Sequence, residues 1–490
     1  MLSGLALSPR YKWYAFAVIA VGTFSSVVDH GSVSVALPSI ATDFNSDIPT
    51  VQWVVIGFAL TISALLLPMG RLADLIGLKK VYIVGSLILI FGAVLAGTST
   101  SAVVLIASRV VQGAGAAMTQ GTGMAIVIAA FPAAERGKAI GLIMTMVGTG
   151  AIAGPAVGGF LVQTLGWPSV FFANIPLVAV GVVAGMVVLQ GRSRDDPRSE
   201  PAPHGFDWLG ALLSSGALLI FLVAISNAHR AGWLSPPILA SGATFVVLMI
   251  AFVWWERRSS SPMLDMRFFQ SRVFSLGVSA AFLTFLGSSA VLFMTPFYLQ
   301  SVLGYGANVS GLVVVPGAIC MAILGVFSGR WSDRYGARPF AVGGLLLSAT
   351  GILIMSRLTE TSSIFMVIPA LVLLSSGMGV FYSPNASAVL GAVGRDRYGV
   401  VSAFLNLVRN AGNVTSVAMA TAIVTATMGS MGYEPSLDAV RASADTGVAQ
   451  AFVAGLRYAY LAMAGAVLLA MTVSLVKAPT AQLAEPVVTH

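Results

Sequence analysis

Fourteen long apolar runs dominate the chain, and no fold in water could hide them all. They fall at about 13–37, 51–69, 81–98, 102–130, 139–163, 169–190, 208–228, 236–255, 273–299, 309–328, 340–356, 363–390, 399–428 and 452–476. A helix that crosses the hydrocarbon core needs roughly 20 mostly apolar residues. Only 9% of the chain is charged, against about 25% in soluble domains, so its surface could not be covered in water. Lipid solvates apolar faces directly, and the sequence therefore predicts an all-α polytopic membrane protein. The first run is too long for a signal-peptide apolar region of about 7–15 residues and is read as a retained span.

The basic residues give the expected orientation. With the N-terminus placed in the cytoplasm, 20 of the 26 Lys and Arg residues fall on the cytoplasmic side. Only Arg230, Arg357 and Arg441 fall outside, and Arg109, Arg409 and Arg457 lie within spans. That asymmetry is the positive-inside pattern; a missed or invented span would scramble it. The formal charge of +8 is thus topological and calls for no nucleic-acid partner. The single Cys320 and four scattered histidines predict neither a disulfide framework nor a metal site. No nucleophile–base pair stands out, and the phosphate-cradling G-x-x-x-x-G-K-[ST] loop is missing, so neither an enzyme nor an ATP-driven pump is expected.

Two longer linkers, about 191–207 and 256–272, divide the spans. The expected organisation is a six-helix half over 1–190, a linker segment with two extra helices over 191–272, a second six-helix half over 273–476 and a tail over 477–490. An internal repeat supports it. GRLADLIGLKKVYIVG begins at Gly70 and GRWSDRYGARPFAVGG at Gly329, a shift of 259 residues. Gly70, Arg71, Asp74, Gly77 and Lys79 match Gly329, Arg330, Asp333, Gly336 and a second basic residue, and both segments read as cytoplasmic loops. Glu135-Arg136 finds a weaker echo in Asp396-Arg397. Duplicated halves around a central cavity are a usual transporter architecture.

These motifs resemble those of the major facilitator superfamily. The segment from Gly70 is similar to its loop motif, with Leu75 where Arg is usual. Arg109-Val-Val-Gln112-Gly113 resembles the R-x-x-Q-G motif of its fourth helix. Gly150, Gly154, Pro155, Gly158 and Gly159 resemble the fifth-helix motif of its antiporters. Asp29 with Ala36-Leu37-Pro38 resembles a first-helix segment of the fourteen-helix drug:proton antiporter family, and the extra helix pair between the halves fits it too. The resemblance covers nearly the whole chain. It implies two halves that alternate access around a central cavity, energised by a proton gradient with no bound cofactor.

Asp29 is the sharpest chemical signal, because every other acidic residue can be placed in a loop, at a helix end or in the tail. A carboxylate inside a span is costly and usually functional, since burial disfavours its charged form. Asp29 lies ~12 Å and Arg109 ~10 Å from the outer ends of their helices at 1.5 Å per residue, so the two could pair and switch with protonation. A static salt bridge that fixes packing is the plainer alternative. His30 could assist proton transfer, but neighbouring helical residues point about 100° apart, and a packing histidine reads as well. The glycines and Pro155 form a hinge, a seal or simple close packing. Arg71, Asp74, Arg330 and Asp333 are candidates for gating contacts. Trp53, Phe285, Met294, Phe297, Tyr298, Met321, Tyr382 and Arg409 could line an adaptable substrate cavity, although most such residues face lipid or other helices.

The expected function is proton-coupled antiport, exporting lipophilic or cationic compounds in the manner of multidrug efflux, by a monomer in a bacterial plasma membrane with both termini cytoplasmic. Export or flipping of lipids and amphiphilic metabolites, or a scaffold or sensor without transport, are the alternatives.

Overall fold

The computed structural model describes residues 10–132, 135–189, 207–232, 235–259, 265–393, 398–433 and 446–476. Asp396-Arg397, nearly all of the first long linker and residues 260–264 of the second lie outside them, as do the side chains of Arg71, Asp74, Arg136 and Asp333. Fourteen helices are long and apolar enough to cross a membrane: α1 (Tyr11–Asp43), α2 (Ile48–Ile76), α3 (Leu78–Gly97), α4 (Ala102–Ala130), α5 (Arg136–Leu165), α6 (Pro168–Val188), α7 (Trp208–Ala231), α8 (Pro236–Glu256), α9 (Arg272–Phe297), α10 (Ala307–Tyr335), α11 (Ala337–Met355), α12 (Ile364–Gly391), α13 (Tyr398–Ser430) and α14 (Thr446–Val476). An even number of spans puts the first and last described residues at one face of the bundle.

Local chemistry sets the helix ends. Asp47 accepts a hydrogen bond from the Thr50 backbone N–H at 3.0 Å and caps α2, while Ser101, Ser271 and Ser363 cap α4, α9 and α12. A side-chain oxygen there satisfies a backbone donor that the helix leaves free. The helices overrun the apolar runs, and this corrects the loop reading. Gly70, Arg71 and Asp74 sit on the last turns of α2, and Gly329, Arg330 and Asp333 on the last turns of α10. The connection itself is a single glycine in each case, Gly77 at φ 106° and Gly336 at φ 83°, a region where L side chains are strained. The repeat extends into side chains. Lys79 Nζ donates to the Met186 carbonyl at the end of α6 at 2.7 Å, and Arg338, the equivalent residue 259 positions on, donates to the Leu475 carbonyl at the end of α14. A cation at a helix C-terminus offsets the dipole and satisfies a free carbonyl.

Packing repeats as well. α1 packs on α5 and α6, α3 on α4 and α6, and α2 on α4. In the last six helices α9 packs on α13 and α14, α11 on α12 and α14, and α10 on α12. The two sets meet through α5 with α10 and α2 with α13, themselves equivalent pairs. The inserted hairpin is peripheral: α7 packs on α2, α8 and α13, whereas α8 is largely exposed. At its base, buried Asp207 accepts from the Gly210 N–H and from Trp255 Nε1, both at 2.8 Å.

The largest apolar core joins both sets at the face opposite the termini, where Val35, Leu37 and Ile40 of α1 share it with Phe293, Phe297 and Leu299. Toward the termini face the apolar side chains form smaller clusters. One around Val18, Tyr82 and Val127 belongs to the first six helices and another around Phe274, Val389 and Leu405 to the last six, while a third joins Phe58, Ile62 and Leu66 of α2 to Leu407 of α13. The molecule is therefore closed at the face opposite its termini. Gln300 Nε2 donates across that seal to the Val35 carbonyl at 3.0 Å.

The glycine motif of α5 serves two interfaces at once. A Cβ at Gly154 would lie 3.0 Å from the Val28 carbonyl oxygen, and one at Gly158 2.4 Å from Ser32 Cα, both on α1. A Cβ at Gly150 would press on Val27 of the same helix at 2.9 Å. Gly159 turns the other way: its Cβ would lie 2.5 Å from the Ala307 carbonyl oxygen of α10. Small residues let backbones approach where lipid supplies no hydrophobic drive between helices. Gly159→Val should cost about 1–3 kcal/mol of closure by overpacking. In a Cys320→Ser background, a cysteine at Val35 should then become labelled by an impermeant maleimide from the face opposite the termini, while with Gly159 it stays protected.

Candidate functional site

The helix pairing just described brings Asp29 of α1 and Arg109 of α4 together inside the first six helices. Arg109 Nη1 donates to Asp29 Oδ2 at 2.9 Å. The residues are 5% and 1% exposed, so this ion pair is removed from solvent. Both residues have further polar partners. Asn174 Nδ2 of α6 donates to Asp29 Oδ1 at 2.9 Å, and Ser25 Oγ holds that amide by donating to Asn174 Oδ1 at 2.9 Å. Arg109 Nη1 also donates to Gln112 Oε1 at 2.6 Å, and Nε donates to the Val54 carbonyl of α2 at 3.1 Å. The guanidinium lies over the Phe58 ring at 4.1 Å and near Phe171 at 5.7 Å, a cation–π arrangement. One buried pair thus ties α1, α2, α4 and α6. A buried pair is tolerated only when further hydrogen bonds satisfy it, and this one meets that condition.

Beside it lies a cavity lined by Ser25, Ser26, Asp29, Gln112, Thr119 and Asn174 together with apolar residues of α3 and α6. It offers about 30 Å³ to the centre of a water-sized sphere, room for roughly two waters with polar partners. The cavity brings space for water up to the Asp29 carboxylate inside the bundle.

His30 points elsewhere. It is exposed, and the charges near it are Asp29, Arg109 and, from the other six-helix set, Arg409. It therefore stands on the wall between the two sets. Trp53, Phe285, Met321 and Tyr382 are half-buried against the rim of the large core. Met294, Phe297 and Tyr298 are not brought to a cavity: all three are fully buried in the seal, and the Tyr298 hydroxyl donates to the Thr359 carbonyl at 2.7 Å. Hydropathy marks them as apolar residues of a span but cannot say which way each faces. Of the gating candidates, Lys79 caps α6 and Arg330 is exposed. Asn174 escaped the sequence reading, although it is the one amide side chain in α6 and an isolated amide in a span is a usable signal. The Val54 carbonyl carried no signal.

A closed bundle of fourteen apolar helices with a satisfied ion pair inside one half and a polar wall between the halves defines an integral membrane transporter, not an enzyme. Comparison gives the family. The Major Facilitator Superfamily model matches residues 19–417 and 278–487, and the chain belongs to that superfamily. It is 30% identical to the riboflavin transporter RibZ of Clostridioides difficile over 401 residues, 82% of this chain and 86% of that one. It is 31% identical to the multidrug resistance protein Stp of Mycobacterium tuberculosis over 430 residues, 88% and 79% of the two chains. Identity is 30% to the multidrug efflux pump LfrA of Mycolicibacterium smegmatis, over 86% and 82% of the two chains. Among solved structures, a bacterial homologue of the human lysosomal transporter Spinster, inward-facing and unoccupied, superposes with a TM-score of 0.66 at 18% identity, covering 95% of this chain and 97% of that one.

Lysine cannot reproduce the planar fork that reaches Asp29, Gln112 and the Val54 carbonyl together. Arg109→Lys should leave at least one buried acceptor without its donor, at about 1–3 kcal/mol. Thermal denaturation in detergent checks this: Arg109→Lys should melt well below the parent, and below Lys79→Ala, whose bond is at the surface.

Proposed function

We propose that the protein is a proton-coupled antiporter that exports lipophilic compounds by alternating access. The observation that carries this reading is the Asp29–Arg109 pair: one carboxylate, buried in mid-span, with a compensating cation and a water-sized cavity at its side. Protonation of Asp29 removes the charge that Arg109 pairs with. The guanidinium keeps Gln112, the Val54 carbonyl and two rings, so it has a second set of partners to fall back on. Val54 lies on α2, which packs against α13 of the other half. A proton on α1 thereby changes the load on a helix at the interface. With the termini face cytoplasmic, as the basic residues suggest, the closed face is external. Cargo would enter from the cytoplasm, and proton exchange at Asp29 would accompany reopening outward. Relatives named for multidrug resistance and efflux at about 30% identity support export of drug-like compounds. The relative named as a riboflavin transporter supports a second reading, export of an aromatic metabolite by the same machinery.

The test uses purified protein in proteoliposomes. Asp29→Asn should lose efflux driven by a pH gradient and lose substrate-induced proton release, while retaining gradient-independent exchange of substrate. Gradient-driven efflux at the parent rate in Asp29→Asn would remove the proposal.

A further inference from the structure

The wall between the halves has a chemistry that a search for carboxylates overlooks. Between Leu405 and Ala418 on α13, every residue is buried except Asn406, Arg409 and Asn413. Spaced three and four apart, they form one stripe on one face of the helix. Asn413 Oδ1 accepts from Ser289 of α9, which sets the stripe beside Phe285, one turn away on the same helix. Phe285 meets Tyr382 of α12 edge to face, with ring centroids 5.7 Å apart. Across the gap stands exposed His30, within reach of the Arg409 charge.

The charge inventory is one-sided. Asp29 and Arg109 are committed to each other and buried. Neither α9 nor α12 has an acidic residue, and Arg272, in the first turn of α9, is their one charged group. α13 has no carboxylate. Among the described residues no carboxylate lies within ion-pair distance of Arg409. An unpaired guanidinium inside the membrane is costly and marks a functional position, and a bound anion would supply the missing partner.

We propose that this wall binds planar aromatic compounds that carry an anionic group such as a carboxylate, sulfonate or phenolate. Arg409 takes the anion, Asn406 and Asn413 donate to or accept from flanking polar atoms, and the Phe285–Tyr382 pair receives the ring. Organic cations, which the sequence alone left open as cargo, would meet Arg409 as a like charge and are disfavoured. The inference deepens the export reading by naming its substrate class, but the binding it describes needs no proton coupling.

Two xanthene dyes of similar shape and opposite charge test it: sulforhodamine B, an anion, and tetramethylrhodamine methyl ester, a cation. Equilibrium binding to the purified full-length protein is read by fluorescence anisotropy without any gradient, so failed coupling in proteoliposomes would leave this result standing. The protein should bind the anion about tenfold or more tightly than the cation, the scale of one charge-assisted hydrogen bond. Arg409→Gln should erase that preference, and Arg409→Lys should keep most of it. Equal or tighter binding of the cation by the unaltered protein overturns the proposal, whether or not the variants fold. So does an Arg409→Gln protein that keeps the preference.

Discussion

The fold turns on the buried ion pair between Asp29 and Arg109. Placing Asp29 and Arg109 away from water costs several kcal/mol per ion, which their attraction recovers only with good geometry and further hydrogen bonds. That support comes from two other helices: α6 through the Asn174 amide and the Phe171 ring, and α2 through the Val54 carbonyl and the Phe58 ring. α1, α2, α4 and α6 therefore hold one another in register for an electrostatic reason, not only a steric one. The second half, built on the same pairing scheme, has nothing equivalent: α9 and α12, the counterparts of α1 and α4, carry no acidic residue and no cation in mid-span. The duplication preserved the scaffold and its helix caps, while the buried ion pair belongs to one copy.

Between the halves the problem is different, because apolar side chains gain little by leaving lipid for each other. Close backbone approach takes over. α5 presents Gly150, Gly154 and Gly158 to α1 and Gly159 to α10, so one helix surface tightens its own half and also seals against the other. Gly311 of α10 answers it: a Cβ there would lie 2.1 Å from the Pro155 carbonyl oxygen. The question of whether these glycines pack or seal has no single answer, since adjacent positions on the helix face different partners.

Much of this was legible in the residues. Fourteen spans follow from run length, and the repeat beginning at Gly70 and Gly329 foretold matched helix pairs. Asp29 stood out as the lone acid deep in a span, and depth alone paired it with Arg109. What could not be read was facing. Met294, Phe297 and Tyr298 look like cavity residues because a span as apolar as α9 has no polar side to orient it, and only tertiary contact assigns them to the seal. The charged ends of α2 and α10 looked like loops because hydropathy stops where charge begins, while the helix continues until Gly77 and Gly336 break it. Arg338 is the instructive case. Its place in the repeat was visible, but a cap on the Leu475 carbonyl depends on a helix end 137 residues away.

Asp29 and His30 show how finely the functions are divided. The two are adjacent, and the 100° step between neighbours on a helix sends one side chain into the bundle and the other to the wall between the halves. Asp29 meets Arg109, Asn174 and a water-sized cavity; His30 is exposed, with the charge of Arg409 from the other half acting on it. On the proposed reading a proton on Asp29 and a cargo at Arg409 would not contend for the same atoms. Their exchange would run instead through the packing of α1 on α5 and of α2 on α13, where the Val54 carbonyl links Arg109 to the interface. On that reading a pump could accept many cargo shapes, because altering the wall would leave the Asp29–Arg109 pair intact.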